Sequence, residues 1–170
     1  MRISLVGFMA TGKSKVGSLL AVELGYQFFD TDELIERKTG LSIPEIFQRK
    51  GEEYFRRVET ESLAGILKGD RIVISTGGGL VISGFNRELL LSRTVSFLLT
   101  APAEEIYQRV RVDNNRPLLR VSDPLAEIRN LLSRRAEYYN VFTNKIDTMG
   151  KSPAEIVEEI LDLIGEINDE

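Results

Sequence analysis

The stretch Gly7-Phe8-Met9-Ala10-Thr11-Gly12-Lys13-Ser14 fits G-x-x-x-x-G-K-[ST] at every fixed position. The glycines of this pattern let the backbone wrap an anion, so that successive N–H groups point at phosphate oxygens. Lys13 is placed to reach the β- and γ-phosphates of a nucleotide, and the Ser14 hydroxyl to ligate magnesium. An apolar run at residues 3–6 leads into the loop, and helical spacing from residue 13 to 24 leads out of it. The helix N-terminus and its dipole therefore face the same anion. A chance glycine turn is the alternative, and the strand–loop–helix context argues against it.

Beyond the loop, short β-branched or aromatic runs alternate with longer helical patterns. Residues 27–29, 71–75, 94–99 and 144–148 read as further strands. Residues 52–67, 102–110, 124–139 and 153–164 have helical spacing, with proline near the start of several, as in Asp123-Pro124 and Ser152-Pro153. Strands separated by helices of a dozen residues imply crossover units and a parallel sheet, which binds ligands at the carboxyl ends of its strands. Residues 111–117 are polar, aperiodic and carry two arginines, and read as a mobile loop between helices. The acidic residues 166–170 read as a fraying tail.

Composition removes several chemistries. The chain has 170 residues, 42% hydrophobic and 28% charged, which suits one compact domain with a core. A net charge of −4 argues against a nucleic-acid partner. There is no cysteine, so disulfides and thiol catalysis are excluded, and no histidine, so the commonest general base is missing. Acid–base work falls to carboxylates, lysine or water, and any metal must be held by oxygen, which points to magnesium or calcium. The opening residues are too short for a signal peptide, and no apolar stretch reaches membrane-spanning length. The expectation is a cytoplasmic protein with no membrane partner.

Downstream, Asp30 and Asp32 close the second strand, spaced so that both share one strand face towards the phosphates. One suits a metal-bound water, the other a substrate hydroxyl. The local alternative has Asp30 capping a helix, with Glu33 completing a capping box. Arg56 and Glu59 are neighbours at i, i+3 on a helix, which suits either a fixed carboxylate-binding guanidinium or a surface ion pair. Gly77-Gly78-Gly79 follows the third strand at its carboxyl end, as a close-approach site or a flexible turn. Arg116 in the loop and Arg134-Arg135 on the next helix suit neutralisation of a phosphoryl group, or solvation as surface charges. Asn144-Lys145-Ile146-Asp147 matches a guanine-reading motif, but the D-x-x-G motif that should precede it overlaps it instead, so the match reads as coincidence.

Taken in order, G-F-M-A-T-G-K-S at Gly7, F-F-D-T-D-E-L-I-E at Phe28, F-R-R-V-E at Phe55, G-G-G at Gly77, R-P-L-L at Arg116 and R-R-A-E-Y-Y at Arg134 resemble the shikimate kinase family over nearly the whole chain. The resemblance implies a P-loop NTPase-like three-layer α/β/α fold, with a five-stranded parallel sheet of order 2-3-1-4-5 like that of nucleoside monophosphate kinases. It implies a single domain over 1–170, with substrate-binding helices at about 31–60 and a lid at about 111–124. It also implies phosphorylation of the shikimate 3-hydroxyl by ATP with Mg2+, in the chorismate branch of aromatic amino acid synthesis, by a monomer.

By the same resemblance, Lys13, Asp32 and Arg116 would be catalytic. Ala10, Thr11, Gly12, Lys13, Ser14, Lys15, Arg109, Arg116 and Pro153 would bind ATP, with Arg109 and Pro153 flanking adenine. Asp32, Arg56, Gly77, Gly78, Gly79 and Arg135 would bind shikimate, the two arginines gripping its carboxylate. Ser14 would hold the metal directly and Asp30 through water. The family usually has glycine at the place of Ala10 and threonine at that of Lys15. A kinase for another polyol acid or a nucleoside monophosphate remains open, as does a nucleotide-binding regulator without chemistry.

Overall fold

Alternation along the strands determines the architecture. In β1 (Arg2–Val6), Ile3 and Leu5 point to one face and Val6 to the other. The same division runs through β3 (Ile72–Ser75), where Val73 opposes Ile72 and Ile74, and β4 (Val95–Thr100), where Phe97 and Leu99 oppose Leu98. Strands greasy on both faces need helices on both sides. With β2 (Gln27–Asp30) and β5 (Asn144–Asp147) they form a parallel sheet in the order β2-β3-β1-β4-β5. The structure, a computed structural model, describes residues 1–111 and 121–169, with side chains to residue 167.

One face is covered by α1 (Lys13–Leu24) and α7 (Pro153–Asp169). They bury Val16, Leu20 and Ala21, and Ile156, Val157, Ile160 and Ile164, at the three- and four-residue spacing of a helix stripe. The other face carries α3 (Ile43–Ile66), α4 (Gly84–Arg93), α5 (Ala103–Val110) and α6 (Pro124–Tyr139). Leu63, Ile66, Leu90, Ile106, Val110 and Ile128 pack there. A third, smaller core of Ile35, Ile46, Phe55 and Val58 clamps α2 (Thr31–Thr39) onto α3. The three-layer fold and strand order agree with expectation.

Three helical stretches go beyond the sequence reading. Helix α3 begins at Ile43, not near 52, because Ser42 and Glu45 form a capping box and Gly51 then breaks the helical backbone with φ 82°, ψ 170°. Helix α4 starts on Gly84, where only the Ser83 cap, accepting from Asn86 N, marks an onset. A 3-10 turn at Leu80–Ile82 follows the triple glycine. The Asn144-Lys145-Ile146-Asp147 match is β5 itself; Asn144 Nδ2 donates to Ser96 O and Lys145 Nζ to Asn140 Oδ1.

Candidate active site

The loop from Gly7 to Gly12 leaves the carboxyl end of β1 and opens α1. Its N-cap is Gly12, which has no side chain to occupy the first-turn amides, so these are left for an anion. Lys13 is buried and folds back across the loop, its Nζ donating to Phe8 O at 2.7 Å. Thr11 Oγ1 donates to the same carbonyl at 2.9 Å. Ala10 has φ 58°, a left-handed conformation that an L-residue adopts at a cost of about 1–2 kcal/mol. Lys15 is exposed on the next position after Ser14, itself exposed at the loop mouth.

Three oxygens gather beside the loop because β2 and β3 are in register, pairing Asp30 with Ser75. Ser14 Oγ donates to Asp30 Oδ2 at 2.6 Å and lies 3.2 Å from Ser75 Oγ. A hydroxyl and a carboxylate are hard donors suited to magnesium. No group of three or more acidic side chains among the described residues could hold a cation alone. An ion here would complete its shell with phosphate and water. Ser75 carried no motif of its own in the sequence.

The acidic pair is arranged differently from the strand reading. Asp30 ends β2, but Asp32 lies in the first turn of α2. The chain turns because Asp30 Oδ1 caps that helix, accepting from Asp32 N at 3.0 Å and Glu33 N at 3.4 Å, while Oδ2 takes the Ser14 hydroxyl. Capping and site geometry are thus two uses of one carboxylate. Glu33 does not close a capping box; its carboxylate lies 3.6 Å from Arg37.

The triple glycine is the point on which the site's side chains converge. A Cβ on Gly77 would stand 2.5 Å from Asp32 Oδ1, and one on Gly79 would stand 3.0 Å from both terminal nitrogens of Arg56. Only glycine lets these groups approach so closely. Arg135 Nη1 donates to Gly78 O at 3.3 Å, and Tyr139 OH to the same carbonyl at 2.6 Å. The turn is anchored by Gly77 N, which donates to the buried Thr31 Oγ1 at 2.8 Å. Thr31 and Tyr139 were not legible as site residues, since a threonine at a helix start and a tyrosine on a core stripe are ordinary there.

Arg56 is held from two sides: Nη1 donates to Glu59 Oε2 at 2.9 Å and Nη2 to Glu52 Oε1 at 3.3 Å. Glu59 is 1% exposed, so the pair is a fixed one, not a solvated surface contact. Burial pushes the Glu59 carboxyl up to about 7; the Arg56 charge and hydrogen bond oppose this, the Asp32 charge adds to it, and Arg135 opposes it. Burial likewise raises the Tyr139 phenol, with Arg135 opposing, so Tyr139 stays a neutral donor.

Arg109 sits near the end of α5, with Nη1 donating to Ala10 O and Nη2 to Thr148 O, both at 3.1 Å. Pro153 is half-buried at the start of α7. Arg134 is exposed on α6. Arg116, and most of the lid expected at about 111–124, lie outside the described residues.

A phosphate loop after β1, with a carboxylate and two guanidinium groups drawn together at the carboxyl end of β3, defines a P-loop kinase of small molecules. A sequence model of shikimate kinase matches residues 9–165. The chain belongs to the shikimate kinase family. It is 45% identical over 160 residues to the shikimate kinase of Deinococcus radiodurans, covering 94% of this chain and 81% of the relative. Its fold superposes on that of the shikimate kinase from Acinetobacter baumannii in complex with shikimate with a TM-score of 0.92, at 40% identity, covering 97% and 93% of the two chains. For the enzyme from Aquifex aeolicus the TM-score is 0.86, at 42% identity and 98% coverage of each chain.

Proposed function

We propose that this protein transfers the γ-phosphoryl group of ATP to the 3-hydroxyl of shikimate, releasing shikimate 3-phosphate and ADP. The observation that carries the reading is the approach of Asp32, Arg135 and Arg56 to Gly77, Gly78 and Gly79, one residue each, beside the phosphate loop. Two guanidinium groups facing one small turn suit a carboxylate, and a carboxylate group at its far end suits a hydroxyl. The adjoining loop supplies backbone amides and Lys13 for the triphosphate.

Phosphoryl transfer needs positioning and charge neutralisation more than covalent help from the protein. Arg56 and Arg135 would bind the acceptor carboxylate and fix the ring, with Gly78 and Gly79 against it. Asp32 would accept the proton of the attacking hydroxyl. Lys13 would neutralise charge developing on the β- and γ-phosphates, joined by Arg116. Ala10, Thr11, Gly12, Ser14 and Lys15 would line the triphosphate, with Arg109 and Pro153 beside the base. Magnesium, held by Ser14 and through water by Asp30, would shield the phosphate charge. A single domain with acceptor helices at about 31–60 and a lid at about 111–124 accommodates this division of labour. No described helix is long and apolar enough to cross a membrane. We place the enzyme in the cytoplasm, as a monomer, where ATP and shikimate are its small-molecule partners.

Steady-state kinetics of Arg56→Ala tests the acceptor site. Loss of a charge-assisted pair is worth about 1.5–3 kcal/mol, so the KM for shikimate should rise roughly 10- to 100-fold. The KM for ATP should stay within about twofold. Unchanged shikimate kinetics would remove the acceptor assignment. Lys13→Ala should lower kcat by about two to three orders of magnitude, as loss of a group that stabilises transition-state charge does.

A further inference from the structure

Arg109 is held at the edges of its guanidinium plane. Nε donates to Glu105 Oε1 at 2.9 Å, one turn back along α5. Nη1 donates to Ala10 O and to Thr148 Oγ1, each at 3.1 Å, and Nη2 donates to Thr148 O at 3.1 Å. Four of the five N–H donors of the fork are engaged. The side chain is 27% exposed.

Thr148 is the fixed end of this arrangement. It is 1% exposed, and both its N–H and its hydroxyl donate to Thr100 O, at 2.9 and 3.0 Å, which ties it to the end of β4. Its hydroxyl proton being spent on Thr100, the Oγ1 lone pair can only accept, and it accepts from Arg109. At the other end stands the carbonyl of Ala10, the phosphate-loop residue held at φ 58°. An alanine leaves that conformation unless its surroundings hold it there.

We propose that Thr148 and Glu105 are positioning residues for the phosphate loop: through Arg109 they pin the Ala10 carbonyl and keep the strained turn in its phosphate-binding shape. Neither residue belongs to the loop or reaches it directly. The inference rests on the kinase reading only in that the loop binds nucleotide phosphates. A backbone strain local to Ala10 is thereby resisted by a contact made from the residue that follows β5.

Calorimetric titration of the full chain with MgADP, no acceptor present, tests the proposal. Thr148→Val removes the hydroxyl that accepts from the Arg109 guanidinium and donates to Thr100 O. Acting on the loop only through Arg109, it should weaken ADP binding about fivefold, the equivalent of roughly 1 kcal/mol. Thr148→Ser, which keeps the hydroxyl, should bind within about twofold of the parent. In an Ala10→Gly background the loop no longer strains to leave its turn, so Thr148→Val should cost clearly less affinity than in the parent. A Thr148→Val protein that binds ADP like the parent overturns the proposal. So does a loss of equal size in both backgrounds, which would show Thr148 acting independently of the Ala10 turn, as through Arg109 beside the base. Should Thr148→Val not fold, Glu105→Ala on the half-exposed α5 surface serves in the same two backgrounds. Weaker ADP binding at an unchanged unfolding midpoint, with a smaller loss beside Ala10→Gly, supports the proposal; unchanged binding or a loss of equal size in both backgrounds overturns it. A parent protein that binds no ADP would instead refute the nucleotide reading from which the proposal starts.

Discussion

Two residues concentrate the energetic tension of the site. Ala10 sits where the backbone favours glycine, and the sequence reveals the departure without revealing that φ is positive there. Ala10→Gly should therefore raise the unfolding free energy, by about 1 kcal/mol in urea titrations, since the left-handed penalty exceeds the extra chain entropy of glycine. The second is Glu59, buried beside Arg56 with its carboxyl raised to about 7 from an ordinary 4.5. The folded protein holds that proton more tightly than the unfolded chain does. Its contribution is thus fully present below about pH 4.5 and is lost as pH rises through about 7. Measured against Glu59→Gln, which cannot titrate, parent stability should fall between about pH 5 and pH 7.5. A pH-independent difference would place the Glu59 carboxyl outside that window.

At the scale of elements, caps and breaks decide which side chains meet. The Asp30 cap turns the chain from β2 into α2 and carries Asp32 to Gly77; the Gly51 break lets α3 bend so that Phe55 and Val58 pack on Ile35 and Ile46. Gly51 holds φ 82°, ψ 170°, a region reserved for glycine, and a Cβ there would meet nothing within 4 Å. Gly51→Ala should therefore destabilise through backbone strain alone, by about 1–3 kcal/mol by thermal or urea unfolding. Strands with uninterrupted β-branched runs and helices with proline starts were legible directly, because each signal is local. The helix role of Asp32 was not, because a two-residue spacing reads alike in a strand end and a helix start. Helix α4 was hidden because Gly84 opens it, and the first half of α3 because Gly51 erases the periodicity between its halves. Thr31, Ser75, Tyr139 and Thr148 act through contacts across the sheet's carboxyl edge, which no local pattern announces.

For the molecule as a whole, the strand order places β1 between β3 and β4, so the phosphate loop opens beside the β3 turn that gathers Asp32, Arg56 and Arg135. Ligands of such sheets bind at the carboxyl ends of strands, and here the phosphate loop and the triple-glycine turn share that edge. On the proposed reading, an acidic chain of net charge −4 would bind two anionic substrates because Lys13, Arg56 and Arg135 are concentrated at this one site. Phosphoryl transfer, on the same proposed reading, requires shikimate itself as the acceptor, not merely a polyol acid or a nucleotide. Release of ADP from ATP and magnesium should be fast with shikimate, and slower by orders of magnitude when shikimate is omitted or replaced by gluconate or AMP. ADP release at the same rate without shikimate, or equally fast with AMP, would contradict it.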